Sequence, residues 1–87
     1  MTIELEQIFN QITTQVFNEL VSANHKFMAR FNSDHEGYAV IKEELEEVWE
    51  EIKKDNHQLA REEMIQVAAM AVKFVYSSMM REKGGVR

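Results

Sequence analysis

No proline interrupts the 87 residues, and the three glycines fall at positions 37, 84 and 85. A chain so poor in breakers and so rich in helix formers reads as helices separated by short connections. The expected fold is all-α: three helices per chain, forming a helical bundle completed by oligomerisation.

The first helix is predicted from about Ile3 into the late twenties. Leu5, Ile8, Phe9, Ile12, Val16, Leu20, Ala23 and Phe27 share one face of it at about 100° per residue. The segment "NSDHEG" collects cap and turn residues between Phe31 and Tyr38, which places the first loop there, with Gly37 free to take backbone angles costly for other residues. The second helix is predicted from about Tyr38 to Lys54. Asp55 or Asn56 then supplies the stop and restart, and the third helix runs from about Gln58 to Arg81. Residues 1–82 read as a single domain and 83–87 as a flexible tail.

Between Met64 and Met80 the only residues outside the apolar and small classes are Gln66, Lys73, Tyr76, Ser77 and Ser78. An apolar arc this wide exceeds what a surface helix buries, so the third helix requires neighbours on several sides. One short chain offers only two other helices and a small core. A homodimer or homotetramer, with helices packing across chains, is the expected assembly.

Composition narrows the function classes. The chain has no cysteine, so a disulfide framework and thiolate metal sites are excluded, and any metal must take oxygen or imidazole ligands. A net charge of -5 argues against binding to a nucleic-acid polymer or to an anionic membrane surface. The N-terminus lacks the pattern of a signal peptide, and no apolar run is long enough for a membrane span, so a soluble, cytoplasmic protein is expected. Walker, GxGxxG, HExxH and Ser-His-Asp patterns are all missing.

The stretch "IKEELEEVWEEIKK" holds the chemistry-bearing residues. On a helical wheel Ile41, Leu45, Val48, Trp49 and Ile52 form the apolar face, whereas Glu43, Glu46 and Glu50 point to water. Glu44, Glu47 and Glu51 occupy the sector between, which also contains Val40. The third helix carries a companion stripe of Glu63, Gln66, Met70, Lys73 and Ser77. If the two stripes face one another, Glu44, Glu47, Glu63 and Gln66 bring four oxygen-bearing side chains together. Such a set suits a hard cation, Mg²⁺ or Mn²⁺. The plainer reading is a solvated acidic face with i,i+4 partners among Lys42, Lys53 and Lys54.

Glu43-Glu44-Leu45-Glu46-Glu47 has the form EExxE, and after fifteen residues Glu63-Met64-Ile65-Gln66 has the form ExxD with glutamine for aspartate. The paired motifs resemble those of the MazG-type all-α nucleoside triphosphate pyrophosphohydrolases. The wider stretch "HEGYAVIKEELEEVWEEIKK" with "REEMIQVAAMAVKF" is similar to a MazG-like subgroup common in phage and bacterial genomes. The resemblance covers about residues 27 to 80. It implies a dimeric or tetrameric bundle that binds Mg²⁺ through Glu44, Glu47, Glu63 and the position of Gln66, with Glu44 and Glu47 catalytic. The implied reaction cleaves a nucleoside or deoxynucleoside triphosphate between the α- and β-phosphates, giving the monophosphate and pyrophosphate.

Lys73 interrupts an apolar run on the same stripe and is a candidate phosphate contact; a lysine stem snorkelling to water is the plainer alternative. Lys26, with His25 and Arg30, closes the first helix and can meet phosphate or base, although basic residues are favourable at any helix C-terminus. Trp49 can stack on a base or serve packing at the edge of the apolar arc. Gln66 departs from the family pattern, since an amide is a weaker Mg²⁺ ligand than a carboxylate. The alternative function is therefore a non-catalytic helical interaction or regulatory module that retains the fold with an incomplete metal site.

Overall fold

A computed structural model describes residues 2–26 and 30–84. It contains three helices, α1 (Ile3–Lys26), α2 (Asp34–Lys53) and α3 (His57–Gly84), and no strand among the described residues. The all-α expectation holds.

Helix α2 begins earlier than expected, and Gly37 lies inside it rather than in the first loop. Ser33 is the N-cap of α2: its hydroxyl accepts the Glu36 N–H at 3.0 Å, and the Glu36 carboxylate accepts the Asn32 N–H. This is a capping-box arrangement, and it begins the helix four residues before Tyr38. Gly37 lies inside the first turn of α2 and is buried. A Cβ there would come within 2.6 Å of Phe74 Cδ2 and 2.9 Å of Phe31 Cδ2. Glycine is present because two aromatic rings approach the backbone closely, not because a turn demands unusual angles.

At the other end of α2 the expected punctuation is present, with the two residues dividing the work. Asp55 takes the left-handed conformation at φ 58° and ends the helix. Asn56 restarts the chain, its side-chain oxygen accepting the Leu59 N–H at 3.2 Å. Helix α3 continues through Lys83 to Gly84, so the predicted tail is helical in its first two residues; 85–87 lie outside the described residues.

Helix α3 is central: it packs against both α1 and α2, which do not pack on each other among the described residues. The buried core gathers Phe31, Ala69 and Met70, with Val16, Leu20 and Ala23 of α1, Val40 and Ile41 of α2, and Phe74 of α3 against them. Only the C-terminal half of the predicted α1 face is used. Leu5, Ile8, Phe9 and Ile12 are exposed, and Phe27 lies outside the described residues.

The inward stripe of α3 is Ala69, Met70, Lys73 and Ser77, largely the stripe that reads as polar in the sequence. Much of the apolar arc, including Met64, Val72, Val75 and Met79, faces outward. The radius of gyration is 14.5 Å, against about 12 Å for a compact domain of this length. None of the described helices is long and apolar enough to cross a membrane.

Candidate functional site

Because α1 and α2 both lean on α3 without packing on each other among the described residues, a cleft opens between them, with α3 as its floor. Its volume is about 870 Å³, and it is lined by Glu19, Ser22 and Ala23 from α1, Arg30 and Phe31 from the connection, Glu36, Val40, Glu43, Glu44 and Glu47 from α2, and Gln66, Met70 and Lys73 from α3. One wall is acidic, and the described cations on the lining are Arg30 and Lys73.

Glu44 and Glu47 of the acidic wall meet Glu63, which is not on the lining itself: carboxylate oxygens of the three all lie within 4.8 Å of one another. Glu44 and Glu47 are one helical turn apart on α2, and Glu63 reaches them from α3. Three carboxylates this close resist simultaneous ionisation. The Glu63 carboxyl is pushed up to about 7, first by a hydrogen bond shared with Glu47, then by burial and by repulsion from Glu47, Glu44 and Glu51. Glu44 is also raised, chiefly by burial and then by Glu47. No basic side chain is paired with any of the three among the described residues; Lys53 and Lys54 pair with Glu50 and Glu51 instead.

One atom distinguishes this cluster from a solvated acidic face. Glu63 Oε2 is buried and, with the carboxyls ionised, has no hydrogen-bond partner among the described residues. Such an oxygen is costly unless something else satisfies it. A hard cation fits, since it takes oxygen ligands and favours the ionised carboxylates. Gln66 lies one turn along α3 from Glu63 and lines the same cleft.

Lys73 lies on the cleft and is only 5 % exposed. Its ammonium sits 4.8 Å from the centroid of the Phe31 ring. Burial lowers its pKa, and the field of Glu36 partly opposes this. Snorkelling to open solvent does not describe this side chain.

The remaining expectations fare differently. Trp49 is 55 % exposed and does not line the cleft; Lys53 lies over its ring at 5.9 Å. Its direction on the wheel, beyond Val48, turns it away from the acidic wall. The Lys26 side chain lies outside the described residues. Arg30 reaches the cleft, whereas His25 is exposed and does not line it. Glu43, assigned to water, is exposed yet borders the cleft and adds to the upward shift of Glu44.

Sequence reasoning missed Glu19, Glu36 and Phe31. Glu19 adjoins Leu20 on the buried face of α1, a weak signal. Glu36 was legible in part, as the last residue of the Ser33-x-x-Glu36 capping pattern. No protein-family model, curated protein or solved structure matches the chain.

Proposed function

We propose that the protein is a divalent-metal-dependent nucleotide pyrophosphohydrolase of the MazG type, cleaving a nucleoside or deoxynucleoside triphosphate to the monophosphate and pyrophosphate. The observation that carries this reading is the meeting of Glu44, Glu47 and Glu63 within 4.8 Å, with an orphaned Glu63 oxygen, beside a cleft that also holds a buried lysine.

In this reading Glu44, Glu47 and Glu63 hold Mg²⁺ or Mn²⁺, and Gln66 adds an amide oxygen. Bound there, the cation supplies neutralisation of phosphate charge and acidification of an attacking water. Glu47 or Glu44 would take the proton from a water attacking the α-phosphorus. The bond from that phosphorus to the bridging oxygen breaks, and pyrophosphate leaves with the electron pair. Lys73 and Arg30, which also line the cleft, stabilise that charge. Lys26 stays assigned to substrate binding, at phosphate or base. Trp49, away from the cleft, is assigned to subunit packing.

The same reading includes self-association. The chain exposes 6745 Å², where a compact monomer of 10.2 kDa exposes about 5300 Å². The excess is rich in large apolar side chains, among them Phe9, Phe17, Trp49, Val75 and Met79. A homodimer or homotetramer covers such a surface.

The test is release of pyrophosphate from a panel of ribo- and deoxyribonucleoside triphosphates with Mg²⁺ or Mn²⁺, alongside sedimentation velocity. Turnover abolished by Glu44→Ala or Glu47→Ala with helicity retained supports the proposal. No turnover and no melting shift with metal plus nucleotide removes it in favour of a non-catalytic helical module, the reading that the neutral Gln66 favours.

A further inference from the structure

Three polar residues of α3, Lys73, Ser77 and Arg81, stand four apart on one stripe, and all three grip a single residue. Ser77 Oγ accepts the Phe31 N–H at 2.9 Å. Arg81 Nη1 donates to the Phe31 carbonyl at 3.0 Å, and its Nη2 pairs with Asp34. Lys73 Nζ lies over the Phe31 ring at 4.8 Å. The contacts are deep: Ser77 is 0 % and Phe31 7 % exposed.

Pinning the segment between α1 and α2 requires only an apolar anchor. A lysine under that anchor brings a desolvation penalty that leucine or methionine avoids. On the same cleft Glu36 is the carboxylate whose field reaches Lys73, with Glu44 and Glu47 farther along the acidic wall, yet Lys73 forms no ion pair among the described residues. The ring face offers the ammonium a competing electrostatic partner without a formal charge.

We propose that Phe31, clamped at its backbone by Ser77 and Arg81, is a positioning residue that holds the Lys73 ammonium off the carboxylate wall and keeps it free for an anionic phosphate group. The device keeps the cation-binding and anion-binding ends of one cleft from neutralising each other. It rests on the pyrophosphohydrolase reading for its use, but its geometry is tested separately.

The test uses the full chain labelled with ¹³C-lysine, in which the Lys73 ε-methylene signal is assigned by its loss in Lys73→Arg. Its protons are expected upfield of the other lysines in the ring current of Phe31. Phe31→Leu, which keeps apolar bulk, and Ser77→Ala, which releases the clamp, are expected to move the signal towards the others while helicity is retained. Calorimetric titration with inorganic pyrophosphate in Mg²⁺ is expected to show affinity lower by on the order of tenfold in both, the scale of one lost charge-assisted contact. Two variants protect the test against one that fails to fold. A wild-type signal without the upfield shift, a signal indifferent to both variants, or unchanged pyrophosphate affinity overturns the proposal, as does a wild type that binds no pyrophosphate. A wild type that binds pyrophosphate but hydrolyses no nucleotide removes the hydrolase reading and leaves this one standing.

Discussion

Glu63 allows the metal reading to be tested without any substrate. Its carboxyl sits at about 7 against an ordinary 4.5. A carboxyl raised in this way keeps its proton after the unfolded chain has lost it, so the native state binds more protons between those two values. Stability contributed by this group therefore falls as pH rises from about 4.5 to about 7. The whole shift corresponds to about 3 kcal/mol. Partial exposure of Glu63 and solvent screening reduce this to about 1–2 kcal/mol. For a domain this small that is about 5–10 °C of melting temperature.

The assay is calorimetric melting of wild type and Glu63→Gln at pH 5 and pH 8. Taking the difference between the proteins cancels groups common to both. Metal-free wild type is expected to lose about 1–2 kcal/mol relative to the variant on going from pH 5 to pH 8. At pH 8 a cation on the cluster reverses the loss, and about 5 mM Mg²⁺ on a site with Kd of about 0.5 mM contributes about 1.4 kcal/mol. At pH 5 protons compete for the same oxygens, so Mg²⁺ does little. A flat difference across pH refutes the claim that the three carboxylates are coupled. Equal stabilisation by Mg²⁺ at both pH values, or in Glu63→Gln, refutes the claim that Glu63 helps to hold the ion.

Glu44→Ala and Glu47→Ala are each expected to lower pyrophosphate release by about 100-fold or more, the scale of a lost acid–base or charge-stabilising group, with unchanged far-ultraviolet circular dichroism. Gln66→Asp is expected to lower the Mg²⁺ concentration for half-saturation, because it adds an anionic oxygen; an unchanged value places that amide away from the ion. Gly37→Ala gains about 1 kcal/mol of helix propensity but meets Phe74 at 2.6 Å, and overpacking of about 1–3 kcal/mol wins, so denaturant melts shift towards lower stability. Ser77→Ala leaves the buried Phe31 N–H without its acceptor and is expected to lose about 1–3 kcal/mol in the same measurement.

The sequence by itself determined the helices and the composition of the acidic cluster. Missing proline, sparse glycine and the Asp55-Asn56 punctuation left few alternatives to three helices. The i,i+3 spacing placed Glu44 and Glu47 on one stripe of α2, and Glu63 stood on a stripe of α3, because residues three apart share a helix face whatever surrounds them; that the two stripes meet was left to the fold. The start of α2 was also legible, in Ser33-x-x-Glu36, although turn chemistry around Gly37 pointed the other way.

Tertiary structure decided which stripe of α3 turns inward, and therefore what the cleft contains. A wheel gives directions around one axis only; it says nothing of where neighbouring helices approach. Here α1 and α2 pack on α3 without packing on each other among the described residues, and that gap is the cleft. Helix α3 consequently buries Lys73 and Ser77 while Val72, Val75 and Met79 remain outside. The grip on Phe31, which spans 46 residues of sequence to Ser77, has no local signature at all. Contacts at such separation arise from the mutual placement of helices, and only the folded chain fixes that placement.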